Sequence, residues 1–318
     1  MRILVLGAGG IGGYFGARIH DAGGDVTFLV RQARAQQLRE NGLKVISPVG
    51  DTQITPKVVT KDELTDCFDL IMLSCKAYDL DSAMDSIAPA IGEQSVILPL
   101  LNGVLHIDTL AARFGPERVL GGVALISVML APGGEIRHLN KPHRLVVGSR
   151  TAQPLKWLQP LVQLLSSSGI NFSQSDNIEQ AMWDKFVFLS TLAGSTCTLR
   201  ASIGDILNTV AGESFITGLL AECARIAEAS GHTVAEAQLT AFRRQLTERG
   251  SVLMASMLRD VERGGPTEAD HILGDMAARA QAKGVEAPML KLACSHLQAY
   301  DMRRKAAALV SPNGPAHD

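Results

Sequence analysis

The chain opens with an apolar segment that runs directly into a glycine-rich turn, Met1-Arg2-Ile3-Leu4-Val5-Leu6-Gly7-Ala8-Gly9-Gly10-Ile11-Gly12. Residues 3–6 have the length and composition of a buried β-strand. Gly7, Gly9 and Gly12 follow at G-x-G-x-x-G spacing, and a helical pattern then begins. This order of strand, glycine turn and helix predicts the first unit of a doubly wound α/β sheet.

Each glycine of this turn has a separate physical task. One allows the tight bend, one lets the backbone approach a pyrophosphate, and one lets the helix pack closely against the strand. The pyrophosphate would meet free backbone N–H groups at the positive end of the helix dipole. The turn therefore predicts dinucleotide binding through Gly7, Gly9 and Gly12, with a purely structural turn as the alternative.

The second predicted strand, residues 25–30, ends where a dinucleotide fold receives the adenosine ribose. NAD-binding proteins usually carry an acidic residue there for the ribose 2′-hydroxyl. This chain has Arg31 instead, and Arg34 follows three residues later. Because a guanidinium can bind a phosphate bidentately, the two cations favour NADP(H) as the cofactor. The alternative is a pair of exposed arginines on a solvated turn.

Two more apolar stretches, residues 68–75 and 95–101, have the pattern of core strands. Lys76 and Asn102 follow directly after them. Ligands of an open parallel sheet bind beyond the carboxyl ends of the strands. Lys76 and Asn102 are therefore candidate ligand contacts, although a lone lysine after a strand is more often a surface residue.

The remaining pattern divides the chain in two. We expect residues 44–47 and 53–59 to form a ribbon at the sheet margin. Residues 120–147 predict a β meander that turns at Pro132-Gly133-Gly134, and residues 172–174 a last strand. From about residue 177 the pattern is helical, with predicted helices over residues 178–200, 204–230, 235–249, 252–263, 267–283 and 288–310.

The predicted fold class is α/β followed by all-α. An N-terminal Rossmann-type dinucleotide-binding domain is expected over residues 1–176, and an all-helical domain for substrate and dimer contacts over residues 177–318. The cleft between the two domains is the expected site of a small-molecule substrate. Whether the chain forms a homodimer stays open.

The composition excludes several classes of partner. The net charge of −2 leaves no basic field for nucleic acid, and no apolar run reaches the roughly 18 residues that a membrane span needs. The five cysteines lie far apart without a C-x-x-C pair, which predicts reduced, buried thiols in a cytoplasmic protein. The histidines show no H-x-x-x-H spacing, so no metal is expected.

Two stretches of the helical half carry a more specific signal. They are Trp183-Asp184-Lys185-Phe186-Val187-Phe188, and Ser256-Met257-Leu258-Arg259-Asp260 followed by Thr267-Glu268-Ala269-Asp270. Together with the glycine turn, Lys76 and Asn102-Gly103, they resemble the ketopantoate reductase (2-dehydropantoate 2-reductase) family. The resemblance keeps the order and approximate spacing of the motifs from residue 1 to about residue 304.

The resemblance implies a Rossmann domain joined to a helical domain, and reduction of a 2-oxo acid by NADPH. It implies that Lys185 donates a proton to the carbonyl oxygen and that Glu268 binds substrate and supports the lysine. It also implies that Asn102 contacts the cofactor and the lysine, that Lys76 lines the cofactor and substrate cleft, and that Ser256 binds the substrate carboxylate.

The chemistry agrees with these implied roles. Hydride attack on a carbonyl builds negative charge on oxygen, and a nearby ammonium both stabilises that charge and supplies the proton. Taken without the resemblance, Lys185 could be a snorkelling surface lysine. Glu268 could equally be a helix-start carboxylate that the helix dipole favours.

Three positions depart from the family. Members acting on ketopantoate carry asparagines where this chain has Leu189, Ala193 and Leu253. An apolar pocket would lose hydrogen bonds to a substrate hydroxyl, so a less polar 2-oxo acid and ketopantoate are both open as substrates. Alternatively, the three side chains pack in the core and Ser190 or Ser195 supplies the polar contacts.

A second function from a different class is a non-catalytic NADP(H)-binding redox sensor. Lys185 and Glu268 discriminate between the two functions, because a sensor would not need both. The two residues therefore favour the reductase.

Overall fold

The computed structural model describes residues 1–151 and 158–310, which form two compact units. The first unit comprises Met1–Leu101 and His106–Met182. The second comprises Asn102–Leu105 and the chain from Trp183 onward. The division falls inside a helix rather than at the predicted residue 176, and Asn102 belongs to the helical unit although it follows a strand.

The described residues contain ten strands in two sheets. They are β1 (Arg2–Leu6), β2 (Asp25–Leu29), β3 (Leu43–Ile46), β4 (Thr52–Ile54), β5 (Lys57–Val59), β6 (Phe68–Leu73), β7 (Ile91–Pro99), β8 (Gly121–Leu130), β9 (Ile136–Gly148) and β10 (Asn171–Gln174). The first sheet has the order β5-β2-β1-β6-β7, and all neighbouring strands are parallel. The chain winds outward from β1 in both directions, so the ligand crevice of such a sheet lies at the carboxyl end of β1.

The second sheet has the order β10-β9-β3-β4, and β8 pairs antiparallel with β9. The predicted turn at Pro132-Gly133-Gly134 connects β8 and β9, and Gly134 takes the left-handed φ of +88°. The predicted ribbon is confirmed for β3 and β4, which pair antiparallel at one end of this sheet. It is wrong for residues 57–59, because β5 pairs with β2 in the first sheet. Pro56 separates β4 from β5, since proline has no N–H for a ladder.

The helices of the described residues are α1 (Gly10–Asp21), α2 (Gln32–Asn41), α3 (Leu80–Ile87), α4 (Leu105–Phe114), α5 (Leu158–Ser167), α6 (Ile178–Leu199), α7 (Ile203–Leu207), α8 (Gly212–Ala229), α9 (Glu236–Leu246), α10 (Ser256–Glu262), α11 (Asp275–Ala282) and α12 (Pro288–Val310). In the first unit, α1 contacts both sheets. On the side of the parallel sheet, a Cβ on Gly16 would press into the Phe28 ring of β2. On the side of the second sheet, the fully buried Tyr14 contacts His138 and His143 of β9.

The second unit is helical, with three differences from the predicted helices. The segment 204–230 is divided into α7 and α8, and Ser202 caps α7 by accepting from the Asp205 amide at 3.3 Å. The segment 252–263 is helical only from Ser256. The segment 267–283 begins with a π-helical turn, Asp270–Gly274, that runs into α11.

The cysteines differ in their exposure. Cys197, Cys223 and Cys294 are buried and Cys75 is half-buried, but Cys67 is exposed in the loop before β6, so the prediction of buried thiols is wrong for Cys67. Burial raises the pKa of Cys197 and Cys223 to about 12, which keeps both thiols neutral. Within residues 1–151 and 158–310, the helices are too short or too polar for a membrane crossing.

Candidate active site

Gly7, Gly9 and Gly12 have different surroundings, and each suits one of the three tasks expected of the glycine turn. Gly7 has a φ of +89°, which permits the tight bend after β1. A Cβ on Gly12 would collide with the Gly7 carbonyl oxygen and with Ser74 Oγ, so α1 and β1 could not keep their close approach. Nothing lies within 4 Å of the place where a Cβ on Gly9 would stand, which leaves that side of the turn open to a ligand.

The two arginines after β2 have different surroundings. Arg31 is exposed, with 77% of its side chain accessible, and its guanidinium lies 3.5 Å from the Asp79 carboxylate. Arg34 donates to the carbonyl oxygens of Ala8 and Gly134, each at 3.0 Å. Arg34 therefore ties the glycine turn to the β8–β9 turn, and Arg31 is the guanidinium available for a phosphate.

Lys76 follows β6 in the first unit, as the carboxyl-end position predicted. It is half-buried and precedes a short 3-10 turn, Ala77–Asp79, whose last amide donates to the Lys76 carbonyl at 2.9 Å. Ser256 lies in the second unit, exposed at the first position of α10.

The second unit brings Lys185 and Glu268 together, although they are far apart in the sequence. Lys185 is a half-buried residue of α6, and Glu268 is a buried carboxylate just before the π-helical turn. Burial lowers the pKa of Lys185 to about 8, and the Glu268 charge opposes that shift. The ammonium is thus near the point at which it can give up its proton at neutral pH.

His271 is a site residue that the sequence analysis missed. It is buried, and its imidazole donates a hydrogen bond to the Asn102 carbonyl. Gly103, with a φ of +80°, packs against it so closely that a Cβ would stand 3.1 Å from His271 Cδ2. Burial lowers the pKa of His271, while the Glu268 and Asp275 carboxylates oppose the shift. The imidazole therefore contacts residues 102 and 103 and also interacts electrostatically with the Glu268 carboxylate.

A sequence signal for His271 exists. Glu268 and His271 are three residues apart in the helix predicted over residues 267–283, a spacing that would place two side chains on neighbouring positions of a helix face. The lone histidine carried no motif of its own, and only the fold brings Asn102 to it.

The face of α6 that carries Lys185 also anchors the segment before α10. Lys185, Leu189 and Thr196 lie along this face at helical spacing. Thr196 Oγ1 accepts a hydrogen bond from the Ala255 amide at 3.3 Å, directly before Ser256. The lysine and the segment leading to Ser256 therefore share one helix face.

The three positions that depart from the family fall into two groups. Leu189 and Leu253 are half-buried and keep accessible surface, whereas Ala193 is only 3% exposed and packs in the core. Ser190 and Ser195 are completely buried, and neither Oγ has a hydrogen-bond partner among the described residues. The accessible surface at Leu189 on α6 and at Leu253 in the segment before α10 is therefore apolar, and the two buried serines do not contribute to it.

The doubly wound parallel sheet with its glycine turn is typical of dinucleotide-binding proteins, and comparison with known proteins identifies the family. Residues 3–152 match the family described as ketopantoate reductase PanE/ApbA, and residues 177–301 match its C-terminal domain. The chain belongs to the ketopantoate reductase family, a family of pyridine-nucleotide-dependent reductases.

Individual relatives cover nearly the whole chain. An oxidoreductase of Bacillus subtilis named YkpB, described as uncharacterized, is 36% identical over 96% of this chain and 100% of its own length. The crystal structure of 2-dehydropantoate 2-reductase from Geobacter metallireducens matches with a TM-score of 0.86 at 27% identity, over 94% of this chain and 99% of that chain. A ternary structure of D-mandelate dehydrogenase with NADH and anilino(oxo)acetate shares the fold, with a TM-score of 0.87 at 23% identity, over 96% and 100% of the two chains.

Proposed function

We propose that this protein uses NADPH to reduce a 2-oxo acid to the corresponding 2-hydroxy acid. The observation that carries the proposal is the Lys185 ammonium beside the buried Glu268 carboxylate, with the lysine pKa lowered to about 8. A general acid works best when its pKa lies near the operating pH, because it is then protonated and yet transfers its proton readily.

The proton at Lys185 Nζ completes the reduction. When bound, NADPH supplies the hydride that adds to the carbonyl carbon of the substrate. As that bond forms, the carbonyl oxygen gains negative charge, and the Lys185 ammonium stabilises it by charge and hydrogen bonding. Nζ then gives the oxygen its proton to form the hydroxyl group, and solvent reprotonates the neutral amine.

Glu268 has an electrostatic task in this scheme. Burial favours the neutral amine of Lys185, whereas the Glu268 charge favours the ammonium. Without the carboxylate, the lysine pKa would fall further and less of the ammonium would be present at neutral pH. Glu268 therefore maintains the protonated acid that the reduction consumes.

The choice of NADPH rests on Arg31. No acidic residue follows β2 directly, and the exposed guanidinium stands where a dinucleotide fold places the adenosine ribose. A 2′-phosphate offers this guanidinium two oxygens for bidentate hydrogen bonds. D-mandelate dehydrogenase, which shares the fold at 23% identity, was solved with NADH, so NADH is the comparison cofactor in any test.

The proposed substrate class is a 2-oxo acid with a side chain less polar than that of ketopantoate. Leu189 and Leu253 present half-buried apolar surface where ketopantoate-specific members have asparagines. A substrate hydroxyl buried there without a partner would cost about 1–3 kcal/mol. An alkyl or aryl group would gain about 25 cal/mol per Å² of apolar surface removed from water.

The test is NADPH consumption with a panel of 2-oxo acids that includes ketopantoate, its deoxy analogue, and alkyl and aryl members. We expect turnover, with kcat/KM higher for the apolar acids than for ketopantoate. A strong preference for ketopantoate over its deoxy analogue would contradict the apolar substrate class. Tight NADPH binding without turnover of any member would contradict the reductase and favour a redox sensor.

A further inference from the structure

The ion pair between Arg31 and Asp79 lies at the carboxyl ends of the parallel strands, where the glycine turn follows β1. Strand β1 stands between β2 and β6, with Leu6 level with Leu29 on one side and Leu73 on the other. Arg31 follows β2, and Asp79 ends the 3-10 turn after β6. The guanidinium and the carboxylate therefore approach each other across the carboxyl end of β1, 3.5 Å apart.

The position of Asp79 would suit a different task. It directly precedes α3, where an aspartate usually accepts hydrogen bonds from the first amides of the helix. Among the described residues, its carboxylate makes no such capping bond. Its observed partner is Arg31, with which it shares a hydrogen bond as well as charge. The side chain is 40% exposed, so its oxygens remain accessible to a ligand.

We propose that Asp79 is a cofactor-specificity residue that reduces the preference for NADPH over NADH. The inference rests on the proposed function, in which Arg31 meets the adenosine ribose. A phosphate monoester carries about −1.5 to −2 charges near neutral pH, so a 2′-phosphate at Arg31 meets a like charge at Asp79. A ribose 2′-hydroxyl can instead donate a hydrogen bond to the carboxylate. In this way a loop after β6 supplies the acid that NAD-binding proteins usually carry after their second strand.

The test measures the Kd of NADPH and of NADH by titrating the nicotinamide fluorescence of each cofactor, which needs no substrate. Asp79→Asn should lower the Kd of NADPH and raise the Kd of NADH. Because the pair is exposed and screened by water, each Kd should change by about threefold and their ratio by about tenfold. The gain for NADPH should shrink in 0.5 M NaCl, since salt screens the repulsion.

Asp66 provides a matched control. It forms an exposed ion pair with Arg2 at 2.7 Å, at the opposite, amino-terminal end of β1. Asp66→Asn removes the same charge from the same unit and should leave the Kd ratio unchanged. The inference would be overturned if the ratio of the NADPH and NADH Kd values did not change in Asp79→Asn, or changed equally in Asp79→Asn and Asp66→Asn. Either result would leave the proposed function standing. Failure of both cofactors to bind the unmodified protein would contradict the proposed function together with this inference.

Discussion

The glycine turn of the first unit and the lysine site of the second are built in opposite ways. The turn comes from consecutive residues and acts through backbone shape, with a left-handed Gly7 and no room for a side chain at Gly12. The lysine site comes from side chains distant in sequence, and in the proposed reaction it would act through the charges of Lys185 and Glu268.

This difference predicts how each region fails. An added methyl group damages a backbone site, whereas the loss of a charge or a proton damages a side-chain site. Cofactor binding and proton transfer should therefore be separable by mutation.

The largest effect is expected for Lys185→Ala. Loss of a general acid typically costs about 10²–10⁴ in rate, so kcat should fall by that factor while the Kd of NADPH stays nearly constant. Lys283→Ala, at an exposed lysine after α11, is the control and should retain activity. Wild-type kcat in Lys185→Ala would mean that another group protonates the substrate oxygen.

Arg31→Ala should weaken NADPH binding by about 1.5–3 kcal/mol, the range for a hydrogen bond to a charged group, and leave NADH nearly unaffected. Arg34→Ala is the matched comparison. It removes the bonds to the Ala8 and Gly134 carbonyls, so it should weaken both cofactors alike. Titration of each variant with each cofactor measures the four affinities. Equal losses for both cofactors in Arg31→Ala would argue against a 2′-phosphate contact.

Two alanine substitutions divide the glycine turn into its structural and binding parts. Gly12→Ala forces a Cβ against the Gly7 carbonyl and should lower the free energy of unfolding by about 1–3 kcal/mol. Gly9 has an ordinary φ of −83° and free space around it, so Gly9→Ala should keep its Tm and lose cofactor affinity. Thermal unfolding with and without NADPH separates the two effects. A lowered Tm in Gly9→Ala without loss of affinity would reverse the assignment.

The pH dependence of kcat/KM should report the pKa of Lys185 directly. The proposed reduction needs the ammonium, so kcat/KM for reduction should fall about tenfold per pH unit above a midpoint near 8, as the lysine deprotonates. Oxidation of the hydroxy acid needs the neutral amine and should rise through the same midpoint. Glu268→Gln removes the charge that raises the lysine pKa, so its midpoint should move to lower pH. If the midpoint in Glu268→Gln equals that of the unmodified protein, the Glu268 carboxylate does not control the pKa of Lys185.

The smallest effect is expected at His271. His271→Leu removes the bond to the Asn102 carbonyl and should lower kcat by about two- to tenfold, the value of one ordinary hydrogen bond. His271→Gln keeps a donor and should recover much of that loss. Equal losses in both variants, with equal falls in Tm, would indicate a packing role only.

The sequence predictions succeeded and failed for identifiable reasons. The first strand, the glycine turn and the β8–β9 turn were predictable because each depends on a few adjacent residues. The strand assignment at residues 53–59 failed because strand partners are tertiary contacts, and β4 and β5 join different sheets. The single helix over residues 204–230 failed because periodicity does not reveal the break at residues 208–211.

The sequence by itself determined the parallel-sheet domain, the helical domain and the family resemblance, because these follow from local periodicity and motif order. The tertiary structure alone decided which polar groups meet. It leaves Arg31 exposed, whereas Arg34 is hydrogen-bonded to the Ala8 carbonyl oxygen. It buries Ala193, Ser190 and Ser195. It also brings His271 within hydrogen-bonding distance of the Asn102 carbonyl. Burial and electrostatic neighbours depend on elements distant along the chain, so the lowered pKa of Lys185 emerges only when the helices have packed.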